Sequence, residues 1–312
     1  MRVVDPIIFS IEGYAPLAAA IAAHGAHALG EVERRRFPDG ERYDRIVTPV
    51  AQRHVVAVGG TVDDAATLEL YDLASGLVAA GAESLTLVVP YFGYATMERA
   101  VKRGEVVKAK TRARLLSAIP AASLGNRVLL VDLHADGITH YFEGGVRAVH
   151  VYAKPLVLAA ARASFARAEA QGRGAVLACT DAGRAKWVES LASELGVPAA
   201  FVYKRRLDGS TTTITGVSAE VEGRHVVVYD DMIRTGGSLV AAARAYRAAG
   251  AASVDALTTH AVLPDDALAR LVDTGLFGAI VATDSHPRAR ALEGPAPQVH
   301  SLAPLLGEAL RA

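Results

Sequence analysis

The chain has 312 residues, 51% hydrophobic and 21% charged, so a sizeable core is available and global disorder is excluded. Lys+Arg and Asp+Glu both number 33; this zero formal balance argues against a nucleic-acid footprint and leaves local basic clusters to serve local anions. The single cysteine, Cys179, excludes an intrachain disulfide framework and a Cys-based zinc site and fits a reducing cytoplasm; the start of the chain lacks a signal-peptide pattern, and the Ala15–Ala23 apolar run stops at His24 and Gly25, short of a membrane span.

Short Val/Leu/Ile runs alternate with longer Ala/Leu/Arg/Glu stretches. In chain order, the pattern predicts a strand at His54–Val58, a helix at Ala65–Ala80, a strand at Leu85–Val89, a helix at Lys108–Ser117 and a strand at Val128–Leu133. A helix at Ala153–Glu169 follows, then a strand at Val176–Cys179, a helix at Ala185–Leu195 and a strand at Ala199–Tyr203. The last predicted elements are a strand at Val226–Tyr229, a helix at Leu239–Ala249, a strand at Val254–Thr258, a helix at Asp266–Thr274 and a strand at Ala279–Ala282. The strands are apolar throughout rather than alternating, which favours parallel sheets covered by helices on both faces. The fold class is therefore α/β, in two domains of about 150 residues with a boundary near Tyr152–Pro155. Val128–Gly137 echoes Val226–Gly237 (apolar strand, terminal acid, glycine loop), which suggests a duplication. The polar segment Leu207–Thr213 reads as an exposed loop able to close over a substrate.

The most informative segment runs from Val226 to Leu239. A buried-type strand meets two carboxylates, Asp230 and Asp231, then Arg234 and the small residues Thr235, Gly236, Gly237 and Ser238, then a helix. Glycines let backbone N–H groups approach phosphate oxygens, and a helix N-terminus supplies positive partial charge. Paired acids at a strand end can hold ribose hydroxyls or hydrated Mg²⁺. Lys204, Arg205 and Arg206 follow a strand; alone they read as a solvated end, but beside a sugar-phosphate cradle they suit a polyphosphate clamp. Asp132, His134 and Asp181 stand at strand ends, where α/β sites assemble, and His134 with Asp181 suits a divalent metal. Phe37-Pro38-Asp39-Gly40-Glu41 reads as a turn with two outward acids, and Glu98 to Lys110 as a charged face.

Taken together, these segments resemble the ribose-phosphate diphosphokinase (PRPP synthetase) family over nearly the whole chain and in order. Phe37 to Glu41 and Pro90-Tyr-Phe-Gly-Tyr94 are similar to its nucleotide-side loops. Val131 to Ala135 is similar to the strand whose histidine binds metal and ATP phosphates, and Thr180 to Gly183 to the second metal-binding strand end. Lys204-x-Arg206 is similar to the opening of the catalytic loop, and Asp230 to Ser238 to the ribose 5-phosphate loop; Thr258-Thr-His260 and Thr283 to Pro287 fit later strand ends. The resemblance implies two tandem phosphoribosyltransferase type I domains, 1–153 and 154–312, with the last helix free to pack on the first. It implies a site between them in a homo-oligomer of at least two chains, and Mg²⁺-dependent transfer of the diphosphoryl group of ATP to O1 of ribose 5-phosphate. His134, Lys204 and Arg206 would be catalytic, His134 and Asp181 metal ligands, and Phe37, Asp39, Gly40, Glu41, Thr96, Met97 and Arg99 nucleotide contacts. Asp230, Asp231, Arg234, Thr235, Gly236, Gly237 and Ser238 would bind the sugar phosphate.

Two positions depart from the commonest family pattern. Ala95-Thr-Met-Glu-Arg99 stands where many members have Ala-Arg-Gln-Asp-Arg, and Arg234 stands where a further Asp is usual. Both resemble the class II subgroup, known mainly from plants, which accepts several nucleoside triphosphates and lacks phosphate activation. Two other functions fit parts of the pattern. A phosphoribosyltransferase shares the acid-pair loop but needs neither a second domain nor Lys204-x-Arg206. A non-catalytic regulator of a true synthetase would have no use for His134, Asp181, Lys204 and Arg206.

Overall fold

The structure is a computed structural model that describes residues 5–180, 182–206 and 212–311, with backbone alone at 182, 204–206 and 212–215. The chain divides into two compact units, Met1–Tyr152 with Ser301–Ala312, and Ala153–His300.

In chain order the first unit contains β1 (Ile7–Ser10), α1 (Ala15–Gly25), β2 (Ala28–Leu29), β3 (Val32–Arg36), β4 (Arg42–Ile46), β5 (His54–Val58) and α2 (Asp64–Ala79). It continues through β6 (Ser84–Val89), α3 (Lys108–Ser117), β7 (Asn126–Val131) and β8 (Arg147–Val151). Six strands form one parallel sheet in the order β2-β1-β5-β6-β7-β8, while β3 and β4 pair separately as an antiparallel hairpin. The predicted apolar runs are the central strands: Val55 to Val58, Leu85, Leu87 to Val89 and Val128 to Val131 are all buried. Asp63 caps α2 by accepting the Ala66 N–H at 2.7 Å.

The second unit contains α4 (Lys154–Glu169), β9 (Ala175–Cys179), α5 (Ala185–Leu195), β10 (Ala199–Arg206), β11 (Thr212–Val217), β12 (His225–Ile233) and α6 (Gly237–Ala248). Then come β13 (Ser253–Ala261), α7 (Ala267–Asp273), β14 (Ile280–Thr283), α8 (Pro287–Ala291) and β15 (Gln298–His300). The sheet order is β11-β10-β9-β12-β13-β14-β15; only the β10–β11 pair is antiparallel. Alternation along the strands sorts their side chains into two cores. Val176, Ala178, Val226 and Val228 pack with Leu239, Ala242 and Tyr246 of α6. Leu177, Cys179, Val227 and Tyr229 pack with α4 and with Val188 and Leu191 of α5. Each fully buried Val or Leu side chain contributes about 1.5–3 kcal/mol.

The last helix, α9 (Ala303–Arg311), belongs to the first unit and packs on α1. Among the described residues, no helix is long and apolar enough to cross a membrane.

Candidate functional site

The strand that carries the acid pair is longer than the sequence predicts. β12 stays paired with β13 through Ile233, so Asp230 and Asp231 lie inside the ladder rather than in a loop. Successive strand residues face opposite sides of a sheet. By that alternation Asp230 falls in the row of Val226 and Val228, which pack with α6, and Asp231 in that of Val227 and Tyr229, which pack with α4 and α5; Ile233, at the strand end, departs from it by packing in the α6-side core. Their partners differ accordingly. The half-buried Asp230 accepts the Thr180 hydroxyl on Oδ2 at 2.9 Å. The buried Asp231 has its Oδ2 2.5 Å from Nη2 of Arg184, at the start of α5.

Beyond β12, Arg234 and Thr235 are exposed, Gly236 is buried, and Gly237 and Ser238 are exposed. Gly236 is the N-cap of α6, at φ +81°. A Cβ there would sit 2.5 Å from Cδ2 and 2.8 Å from Cγ of Leu271, so both conformation and packing require glycine. The first intrahelical bond is Val240 N–H to Gly236 C=O at 2.9 Å. The N–H groups of Gly237, Ser238 and Leu239 precede it, and a glycine cap carries no side chain to occupy them. N–H groups at a helix N-terminus are of the kind that suits an anion, and Arg234 lies three residues before Gly237 in the chain.

Lys204 and Arg206 are on β10 beside β11, with Ile214 and Thr212 as register partners and a register shift at Tyr203/Lys204. Their side chains, Asp181, and the segment 207–211 that makes up most of the predicted substrate-closing loop lie outside the described residues.

In the first unit, β7 ends at Val131, two residues earlier than predicted, because Asp132 turns to φ +38°. Its N–H still reaches the Val151 carbonyl at 3.1 Å. The turn continues through the half-buried His134 into a 3-10 segment, Asp136–Tyr141. His150 holds this turn from β8: its Nε2 accepts the Leu133 N–H at 2.9 Å, and its Nδ1 is 3.1 Å from Asp136 Oδ1. Tyr152 stacks on His150 with centroids 4.0 Å apart. Burial first, then the carboxylates of Asp136 and Asp132, push its phenol above the ordinary value.

Phe37 to Glu41 is the tip of the β3–β4 hairpin, closed by Phe37 N–H to Glu41 C=O (2.8 Å), Gly40 N–H to Phe37 C=O (2.9 Å) and Glu41 N–H to Asp39 Oδ1 (3.1 Å). Phe37, Asp39, Gly40 and Glu41 are all exposed. The hairpin is anchored by charge: the buried carboxylate of Glu69 on α2 meets Arg42 at 2.8 Å and Arg34 at 3.7 Å. Thr96 and Met97 lie exposed on the 3-10 turn Ala95–Met97, followed by exposed Arg99, whose Nε is 3.4 Å from Glu98. The preceding loop is pinned by Gly93 N–H to Thr61 Oγ1 (2.7 Å) and Tyr94 O–H to Asp64 (2.7 Å). The Tyr94 hydrogen bond, then Arg112, hold the Asp64 carboxyl below its ordinary value.

In the first unit His134 follows the carboxyl end of β7, and in the second Asp230 to Ser238 lie at the carboxyl end of β12, where ligands bind in open α/β sheets; the Phe37–Glu41 turn belongs to the separate β3–β4 hairpin. A cavity at the amino ends of β5, β6 and β7, lined by His54, Ser84, Thr86, Asn126 and Arg127, holds none of these residues. Sequence reasoning assigned no role to Arg184 or His150, and named Thr180 only as part of the strand end that carries Asp181. Arg184 carried a readable signal: a cation at a helix N-terminus opposes the helix dipole and implies a carboxylate partner.

Residues 6–119 match the model for the N-terminal domain of ribose phosphate pyrophosphokinase, and residues 150–276 the model for the phosphoribosyl transferase domain. The ribose-phosphate pyrophosphokinase of Ralstonia nicotianae is 33% identical over 306 residues, covering 97% of this chain and 93% of that one. Its counterpart in Fusobacterium nucleatum is 35% identical over 280 residues (89% and 85%), and that of Methanosarcina acetivorans 32% over 303 (95% and 97%). The crystal structure of phosphoribosylpyrophosphate synthetase from Mycobacterium smegmatis superposes with a TM-score of 0.84 at 28% identity, covering 99% and 98% of the two chains.

Proposed function

The chain belongs to the ribose-phosphate pyrophosphokinase family, and on that premise we propose that it transfers the diphosphoryl group of ATP to O1 of ribose 5-phosphate, giving PRPP and AMP. The observation that carries this reading is the site in the second unit: an acid-bearing strand running directly into a glycine-capped helix N-terminus with Arg234 beside it. In this reading the N–H groups of Gly237 and Ser238, with Thr235 and Arg234, hold the 5-phosphate. Asp230 is aligned by Thr180 toward the ribose hydroxyls.

Diphosphoryl transfer needs in-line placement and charge neutralisation more than covalent help. Lys204 and Arg206 supply cations to the transferring group, and His134, held at the end of β7 by the His150-braced turn, faces the triphosphate. Among the described residues no cluster of three or more His, Cys, Asp or Glu forms a closed metal cage. Mg²⁺ is usually held by one or two carboxylates together with water and substrate phosphate oxygens. His134 and Asp181 would hold it, and the ion would neutralise phosphoryl charge. The exposed hairpin tip at Phe37 to Glu41 and the turn with Thr96, Met97 and Arg99 take the nucleotide. Thr96 and Met97 bring no charge to that contact, which favours a broad choice of donor. The working unit is a homo-oligomer of at least two chains, to be checked by light scattering on the purified protein.

The deciding experiment incubates purified protein with ribose 5-phosphate, Mg²⁺ and each of ATP, GTP, CTP, UTP and ADP, with and without inorganic phosphate. AMP and PRPP should form together from ATP. Diphosphate release from PRPP plus a base, without AMP from ATP, would make the chain a phosphoribosyltransferase. Turnover of neither, with stimulation of an added synthetase, would make it a regulator.

A further inference from the structure

The two adjacent carboxylates do not share one environment, and the difference points to separate work. Asp230 meets Thr180 and Asp231 meets Arg184, different partners of the kind alternation along a strand produces. Val226 and Val228, two and four residues before Asp230, pack with α6, whose N-terminus is the proposed phosphate cradle. Asp231 is buried (side chain 5% exposed) against Arg184, at the start of α5, at 2.5 Å. β9 and β12 are parallel neighbours, with Cys179 level with Tyr229, so the segments leaving their carboxyl ends run side by side. Thr180 reaches across to Asp230, and Arg184 to Asp231. Arg184 is the N-cap of α5, where the helix dipole disfavours a cation. The buried carboxylate offsets that cost, and each charge is the other's compensation for leaving water.

We infer that the acid pair is divided: Asp230 is the carboxylate presented to the sugar, and Asp231 is the counter-ion of Arg184, which acts as a positioning residue. The ion pair locks the turn before α5 to the strand that feeds the phosphate cradle, and so sets the register of Asp230 and of the cradle N–H groups relative to that turn. This rests on the proposed use of the cradle for ribose 5-phosphate.

The test uses the full chain with Asp230→Asn, Asp231→Asn, Arg184→Gln, Arg184→Lys and the double variant Arg184→Gln/Asp231→Asn. Steady-state kinetics, calorimetric binding of ribose 5-phosphate alone and thermal melting are read on each. Asp230→Asn should cut kcat/KM by on the order of 100-fold without lowering the melting temperature, as a lost substrate contact does. Arg184→Gln and Asp231→Asn should each weaken ribose 5-phosphate binding about tenfold with kcat nearly kept, and the double variant should be no worse than either single one, the mark of a coupled pair. Arg184→Lys should recover part of the loss. Additive losses in the double variant, or an Asp231→Asn phenotype equal to that of Asp230→Asn, would overturn the division, as would Arg184→Gln changing melting alone. Should the natural sequence yield no AMP, the family-based reading fails on its own. The binding and melting arms still decide whether Arg184 and Asp231 act as a pair. Should Arg184→Gln not fold, the double variant, with neither charge left buried alone, carries the comparison.

Discussion

Substituting Gly236→Ala strikes the proposed phosphate cradle at its tightest point. The residue sits at φ +81°, and moving an L-residue into the left-handed region costs roughly 1–2 kcal/mol. The added Cβ would also press on Leu271, 2.5 Å from Cδ2 and 2.8 Å from Cγ. Leu271 is fully buried in the α6-side core and cannot swing aside, so the overpacking cost of about 1–3 kcal/mol applies in addition. The sum is about 2–5 kcal/mol. With a urea slope of about 2 kcal/mol/M, the midpoint of the second unit's unfolding should fall by ~1–2.5 M. Hydrogen exchange should locate the damage at the N-terminal turn of α6. Trimming the neighbour, as Gly236→Ala/Leu271→Ala, should remove the steric share but leave the conformational one, so the two losses should be less than additive. A midpoint shift under about 0.3 M with unchanged protection of α6 would refute the reasoning.

Four further outcomes are expected. Lys204→Ala should lower kcat by on the order of 10²–10³-fold with melting unchanged, measured by AMP release, because it removes a charge needed as phosphoryl charge develops. Asp255 is pushed up by burial, but hydrogen bonds from His225, Ser164 and Arg167 and the charge of His225 outweigh that and leave it below its ordinary value. A depressed carboxylate stabilises the fold above the unfolded pKa, near 3.9, and loses that stabilisation as pH falls through the folded value. Asp255→Asn should therefore be less stable at pH 7, and the gap should close below about pH 4 in melts taken across pH. Thr258 Oγ1 is buried with no hydrogen-bond partner among the described residues. Thr258→Val should therefore be neutral or stabilising by up to about 1 kcal/mol in urea titrations, and a loss of that size would reveal an acceptor. Phe37→Ala, at an exposed tip, should change stability by under about 0.5 kcal/mol. It should raise the KM for ATP about tenfold or more if a base stacks on the ring.

The sequence made the buried strands legible because they are apolar on both faces. His54–Val58 is observed as predicted, and Val226–Tyr229 is right as far as it goes. The helices Lys108–Ser117 and Ala185–Leu195 also stand where periodicity placed them. Polar strands hid themselves. Val-Glu-Arg-Arg-Arg and Arg-Tyr-Asp-Arg-Ile carry no apolar run, and the β3–β4 hairpin is held instead by cross-strand pairing and by the Glu69 anchor contributed from α2. β12 outran its prediction for a related reason. Its last four residues, Asp230 to Ile233, include two acids, and only the tertiary ladder to β13 keeps them extended. At the site, residue types and spacing placed His134 and the acid pair at strand ends, where the structure also has them. They did not reveal that Asp230 and Asp231 take different partners, since Arg184 is remote from both in sequence.

The return of α9 to α1 makes the first unit a split body and the second an uninterrupted insert within it. Its sheet is finished at Val151, yet the face of α1 that α9 covers stays uncovered until 148 intervening residues, Ala153–His300, have been made. During synthesis the inserted body can therefore close first, while the body begun earlier waits for its final helix. A fragment cut at residue 300 would keep the insert whole and leave its host missing a wall, and a helical peptide carrying residues 303–311 should restore it.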